Sequence, residues 1–385
     1  MSCERIESIA STHNDDAKIE PEEIEIPVPW GHISGKWWGS KDAQPILALH
    51  GWQDNAGTYD KLAPILAQKI AILSIDLNGH GLSSHLHDGT FYYVFWDGII
   101  LVRRIVKHYK WDKLWVSILL YDTLSANIIL TYRIQYLDTN NYILKFIGKW
   151  WGPKSIQPIL TLHGRQDNAG SFDRIIKILG HSLGGAIGFL YAASYPDEVD
   201  SLMCLDIVSP TVKNIEKSVA STGDCIDKYL KYEKLTLDSV PCYNYDEMID
   251  IVVDAYAGGI TRESAEILMR RGMQPAPTFG KYYFSRDPRL KVSLLGMFSL
   301  DLTTAYAKQI KCKYLNIRAV PGLKFDHPED YQFILDIIKS KAKQFEYHEV
   351  EGTHHVHLNE PEKIAPIIET FLGSTRLIKN RLKKN

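Results

Sequence analysis

From Gln44 onward, short unbroken apolar runs alternate with amphipathic stretches. Residues 45–49 form one such run, followed by the polar turn His50-Gly51-Trp52-Gln53-Asp54-Asn55, a helical pattern over 59–68, and a second run over 70–76. A strand that is apolar at successive positions, not at every second one, is buried on both faces. Such strands alternating with helices predict a mostly parallel sheet flanked by helices, an α/β architecture. The same reading predicts a helix over 96–109, a strand over 175–179, a helix over 186–193, and strands over 201–208 and 313–319. Between Ser209 and about Ser299 the period turns helical, as in Met248, Ile249, Ile251, Val252, Val253, Ala255 and Tyr256 and again over 264–271. That block is expected to form a helical cap over the carboxyl edge of the sheet.

An internal repeat interrupts this order. Residues 33–66 recur at 146–179 with a constant, gapless offset of 113, including Gly-Lys-Trp-Trp-Gly at 35–39 and 148–152 and Gln-Asp-Asn-Ala-Gly at 53–57 and 166–170. Two copies fall short of the three or more units of a solenoid, so this is a partial duplication. The first copy is followed in series by the next strand and a helix, and is taken as the one within the fold. The expected organisation is a polar tail over 1–24, a core over 25–115, 173–209 and 300–375, an insertion over 116–172 that contains a partial duplicate of residues 33–59, a cap over 210–299, and a basic tail over 376–385. At strand spacing, the paired Trp37 and Trp38 read as one core and one surface residue.

Composition narrows the function classes. The net charge of −2 gives no global field for nucleic acid, and only 376–385 is markedly basic. The five cysteines, Cys3, Cys204, Cys225, Cys242 and Cys312, are odd in number and lack C-x-x-C spacing, which predicts reduced thiols and a cytoplasmic setting. Residues 1–25 are polar and acidic, unlike a signal peptide, and no run reaches the ~20 apolar residues of a membrane span. No heptad or other self-association signature stands out, so the oligomeric state is not readable.

The chemistry concentrates at Gly180-His181-Ser182-Leu183-Gly184-Gly185, a G-x-S-x-G turn between a predicted strand and a predicted helix. Small residues at 180 and 184 allow the close strand–helix approach that exposes a serine as a nucleophile. A hydroxyl is a weak nucleophile near neutral pH and requires a neutral imidazole as base and a carboxylate to orient that imidazole. The cluster His354-His355-x-His357, with His348 nearby, is also a conceivable metal site. Neighbouring strand positions point to opposite faces, which suits tetrahedral ligation poorly, and no metal or cofactor is expected.

With Leu49-His50-Gly51-Trp52-Gln53-Asp54-Asn55, 76–85, 180–186 and 352–359 in this order, the chain resembles the α/β-hydrolase fold superfamily, and within it the serine hydrolase-like proteins. The resemblance implies Ser182 as nucleophile and His354, with Gly352 before it and Pro361 after it, as base; His355 and His357 compete. For the acid it leaves two candidates, Asp326 beyond the strand that precedes the histidine segment, and Asp206 at the end of the strand after the nucleophile helix. It places the oxyanion donors at the backbone N–H groups of Trp52 and Leu183. His50, Gly51, Gly180 and Gly184 are assigned to the structure of these motifs, as are Gly79-His80-Gly81. The implied activity is hydrolysis of a carboxylic ester, thioester or amide through an acyl-serine intermediate. Tyr229, Tyr232, Tyr256, Met269, Met273 and Phe279 suggest an apolar pocket for a small acyl-ester substrate. The alternative is an inactive binding protein of the same fold, because the duplication precedes the serine strand and the acid is ambiguous.

Overall fold

The computed structural model describes residues 19–111, 115–120, 130–135, 176–212, 214–292, 298–324 and 328–381. The first two strands, β1 (Glu22–Val28) and β2 (Gly31–Trp38), form an antiparallel hairpin. Strand β1 thus begins before the expected end of the polar tail at 24; its alternating charged and apolar residues suit an edge strand with one solvated face. Then come β3 (Ile46–Leu49), α1 (Ala63–Ala67), β4 (Ile72–Ile75) and α2 (Val94–His108). Among the described residues, strands β5 (Trp115–Leu120) and β6 (Leu130–Gln135) pair only with each other, and the expected boundary between 115 and 116 falls inside β5. Strand β7 (Ile176–His181), α3 (Leu183–Ser194) and β8 (Val199–Leu205) follow.

Next come α4 (Ile215–Glu233), α5 (Tyr245–Ala255) and α6 (Arg262–Gly272), and then a short antiparallel ribbon of β9 (Met273–Pro275) and β10 (Tyr282–Phe284) that the helical pattern did not predict. The chain closes with α7 (Leu300–Ala307), β11 (Lys313–Pro321), α8 (Pro328–Lys341), β12 (Gln344–Gly352), α9 (Val356–Asn359) and α10 (Ala365–Arg381). Eight strands make one sheet in the order β1-β2-β4-β3-β7-β8-β11-β12, parallel from β4 to β12. This is the expected α/β fold. No helix among the described residues is long and apolar enough to cross a membrane.

The unbroken apolar runs are explained by two cores, one on each side of the sheet. Leu47, Leu49 and Ile178 face one of them and Ile46, Ala48 and Leu179 the other. Trp37 and Trp38 divide in the same way, and both are buried, at 7% and 4% exposure, so the expected surface position for one of them is wrong. A sheet covered on both faces leaves no solvent side for either ring.

The duplicated sequence meets the sheet twice. The first copy supplies β3, and β3 pairs with β7, whose residues 176–179 are the tail of the second copy. The counterparts of 176–179 in the first copy, 63–66, form α1 instead. Pro64 in the opening turn of α1 lacks an N–H and favours a helix start, whereas Lys177 at the equivalent position keeps the donor a central strand needs. The second copy up to Ile175 lies outside the described residues.

Candidate active site

Strand β7 delivers Ser182 at the carboxyl edge of the sheet. The residue has φ 49 and ψ −117, a costly conformation for a side-chain-bearing residue, and sits at the N-terminus of α3. Two backbone hydrogen bonds hold it there: its N–H donates to Leu205 O at 3.1 Å, and its carbonyl accepts from the Ala186 N–H at 3.0 Å. A Cβ on Gly184 would lie 2.1 Å from Leu49 O, and one on Gly180 2.4 Å from the Gly184 backbone. Both positions therefore admit only glycine, and α3 can rest directly against β3 and β7. Leu183 opens α3, where main-chain N–H groups have no partner within the helix.

His354 follows the end of β12. Segment 353–355 is a loop and turn, not a strand, so the alternation of strand faces that argues against metal ligation does not apply to His354 and His355. Thr353 fixes the loop by donating its hydroxyl to Gly259 O at 2.7 Å and accepting from Asn359 Nδ2 at 2.9 Å. The His354 Nδ1 then lies 2.7 Å from Asp206 Oδ2, at side-chain exposures of 18% and 1%. Of the two carboxylates named from sequence, the one on the imidazole is Asp206; Asp326 lies outside the described residues.

Asp206 ends β8 in a left-handed conformation (φ 50), and its N–H donates to Ile317 O at 2.7 Å. Its carboxylate accepts from the Ala319 N–H at 3.0 Å and the Leu323 N–H at 2.7 Å, while Arg318 Nη1 stands 3.7 Å away. These donors hold the carboxylate in place against the imidazole. Gly322 makes this approach possible: it has φ +50, and a Cβ there would fall 2.7 Å from the Asp206 carboxylate and 2.3 Å from Ala319 O. Gly322→Ala is expected to destabilise the protein by about 1–3 kcal/mol, read from the denaturant midpoint.

His50 and Gly51 pin the turn after β3. The His50 Nδ1–H donates to Gly51 O at 2.6 Å and Nε2 accepts from the Leu77 N–H at 2.9 Å; burial lowers the ring's pKa, and these two bonds suit the neutral form. A Cβ on Gly51 would press on His181 and Asp54 at 2.8 and 2.9 Å. Trp52 is tied by its indole N–H to Leu290 O at 2.9 Å. Gly79 and Gly81 both take positive φ, and a Cβ on Gly81 would strike the Asp76 carboxylate at 2.4 Å, consistent with a structural role for that turn.

The sequence did not reveal a second polar cluster behind the serine. Asp54 Oδ2 lies 3.2 Å from His355 Nε2 and 3.5 Å from His181 Nδ1, and Tyr256 donates its hydroxyl to Asp54 Oδ1 at 2.5 Å. The His181 Nε2–H donates to the His354 carbonyl at 2.9 Å, and His357 Nε2 lies 2.9 Å from Thr58 Oγ1. Burial would push the Asp54 carboxyl up, but His355 and His181 hold it well below the usual carboxylate range. Burial, with His354 nearby, depresses His181 to about 3, so its ring is neutral. Burial likewise holds His357 well below the ordinary imidazole value. Asp54, His181 and His355 have ligand atoms within 4.8 Å of one another, the spacing a metal ion requires. The carboxylate already takes hydrogens from Tyr256 and His355, while the Nδ1 atoms of His181 and His355 are buried without a hydrogen bond. The members of the cluster are 54, 181, 256 and 355, too far apart in sequence for any spacing rule to connect them.

A cavity of about 380 Å³ joins these parts, with Ser182, His354, Gly51 and Trp52 on its sheet side and Val252, Tyr256, Leu268, Met269 and Phe284 facing them. Of the six side chains expected to form an apolar pocket, Tyr256 and Met269 line it. Tyr229 instead hydrogen-bonds Thr90 O and packs on Phe91, and Phe279 is fully exposed.

A parallel sheet with a strained serine between β7 and α3, a histidine after the last strand and a cavity above them defines an α/β-hydrolase. The family model described as alpha/beta hydrolase fold matches residues 168–224. A Drosophila melanogaster protein described as a probable serine hydrolase is 43% identical over 91% of this chain and 87% of its own length. A human serine hydrolase-like protein 2 is 27% identical over 94% and 96% of the two chains. The chain belongs to the serine hydrolase-like family. Among solved structures, a hypothetical protein from Pseudomonas aeruginosa PAO1 (22% identity, TM-score 0.64, 92% of this chain and 99% of that one) and a thioesterase domain from the curacin biosynthetic pathway (18%, 0.62, 91% and 99%) share the fold.

Proposed function

We propose that this protein hydrolyses a carboxylic ester, thioester or amide through an acyl-serine intermediate, with Ser182 as nucleophile, His354 as base and Asp206 as the orienting acid. The observation that carries the reading is the 2.7 Å contact between Asp206 Oδ2 and His354 Nδ1 beside a cavity that also exposes Ser182. With Nδ1 taken up by the carboxylate, Nε2 is left to accept the hydroxyl proton as Ser182 Oγ attacks the acyl carbon. The resulting oxyanion would be met by the backbone N–H groups of Leu183 and Trp52. His354 then returns the proton to the departing alcohol, thiol or amine, and water releases the acid by the same steps.

A fluorophosphonate probe tests the reading, because it reacts only with an activated serine. The full chain is expected to label, and Ser182→Ala to lose the label while keeping its circular dichroism spectrum. Absence of labelling in the folded full chain would leave the inactive binding protein as the better account.

A further inference from the structure

The wall of the cavity contains one cation. Arg286 lines the same space as Ser182 and His354, and its guanidinium lies 4.3 Å above the Phe284 ring. Its Nε is buried without a hydrogen bond, and it has no ion-pair partner among the described residues. Elsewhere the buried arginines are fully engaged: Arg271 binds Asp76 and Glu23, and Arg289 binds Asp287. Burial lowers the Arg286 pKa against the pull of Tyr256 and Asp54, but a guanidinium remains charged at neutral pH. The Asp54 carboxylate, which attracts Arg286 through space, already accepts hydrogens from Tyr256 at Oδ1 and His355 at Oδ2 and forms no ion pair with the guanidinium. Lys291 adds a second positive charge close to Arg286, and its own pKa is lowered by burial and by Arg286. A half-buried guanidinium whose Nε is shut off from solvent and unpartnered is costly, and a ligand with an anionic group would supply the missing hydrogen bond and the direct ion pair.

We propose that Arg286 binds an anionic group of the substrate, a carboxylate at the far end of a short chain whose other end carries the bond that Ser182 cleaves. The remaining wall, with Val252, Leu268 and Met269, would take the methylenes between the two ends. The planar fork of a guanidinium matches a carboxylate in two parallel hydrogen bonds, and a cavity of about 380 Å³ limits the chain to a few carbons. The inference rests on the hydrolase reading for the cleavage and on Arg286 alone for the selection.

The test compares mono-4-nitrophenyl glutarate with its neutral methyl ester. Wild type is expected to favour the anionic ester in kcat/KM by about 10- to 100-fold, the usual contribution of a charged hydrogen-bonded pair. Arg286→Met should collapse that ratio towards one, and Arg286→Lys should recover part of it. An unchanged ratio in Arg286→Met, or no preference in wild type, overturns the proposal. Calorimetry on Ser182→Ala separates the two readings, since glutarate binding that disappears in Ser182→Ala/Arg286→Met supports the anion site even if neither ester is hydrolysed. Inorganic phosphate binding more tightly than glutarate would replace the carboxylate by a phosphate and overturn the stated substrate class. If Arg286→Met does not fold, the wild-type ratio and the Arg286→Lys variant decide.

Discussion

Asp206→Asn is expected to lower kcat for an ester substrate by about 10⁴-fold. The carboxylate accepts three hydrogens, from His354 Nδ1, Ala319 N and Leu323 N. An amide of the same shape has only one accepting oxygen. With that oxygen kept on the Ala319 N–H, the amide NH2 takes the place of Oδ2, loses the Leu323 N–H, faces His354 and forces Nδ1 to become an acceptor. The proton then sits on Nε2, where the base must be empty. Asp326→Asn provides the comparison that decides between the two acids. Should its loss of kcat exceed that of Asp206→Asn, the triad is completed by Asp326. Fluorophosphonate labelling rates give the same ordering without a known substrate.

The second large effect concerns the attachment of the helical block. Arg271 leaves the end of α6 and reaches across to the sheet, donating Nη2 to Asp76 Oδ2 at 2.8 Å and to Ser34 Oγ at 2.8 Å, and Nη1 to Glu23 Oε2 at 2.6 Å. Asp76 is fully buried; its other hydrogens come from the Ala56 and Leu82 N–H groups. Arg271→Met is expected to cost about 3–5 kcal/mol, because the carboxylate stays buried after its cation is gone. Urea unfolding measures the loss. Lysine at 271 should restore only a minority of it, since one ammonium cannot span Asp76, Ser34 and Glu23 together. A loss below ~1 kcal/mol would mean that solvent reaches Asp76 once the guanidinium is removed.

What could be read from sequence follows from the range of the forces involved. Strands β3, β4, β7, β8 and β11 were legible because a position buried on both faces must be apolar, and this marks the chain locally. Edge strand β12, with Gln344, Glu346, His348 and Glu349 partly or fully exposed, carries no such mark. Residues 63–66 and 176–179 show the limit more sharply: related sequence became a helix in one place and a central strand in the other, decided by Pro64 and by the slot between β3 and β8. At the site, Ser182 stood out because a glycine-bounded turn leaves a signature, whereas His354 was singled out from His355 and His357 by the resemblance to a known family. The acid did not, because Asp206 meets His354 only after β8, β11 and β12 align in parallel across 148 residues of separation. Asp54, His181 and His355 met for the same reason, and Arg286 became noticeable only when its lack of a counter-ion could be seen.

The stretch 109–175, between the end of α2 and the start of β7, also bears on how such a gene can change length without losing its fold. Closing a flexible connection costs entropy that grows only with the logarithm of its length, about 0.6 kcal/mol for each doubling. For an unstructured connection in general, several doublings of length therefore cost roughly 2 kcal/mol, a small part of what a sheet of eight strands with two cores provides. Copied sequence entering at this joint is close to thermodynamically silent, provided the strand that follows still fits between β3 and β8. The constraint then falls on the last few residues before Ser182, which must pair with β3 on one side and β8 on the other.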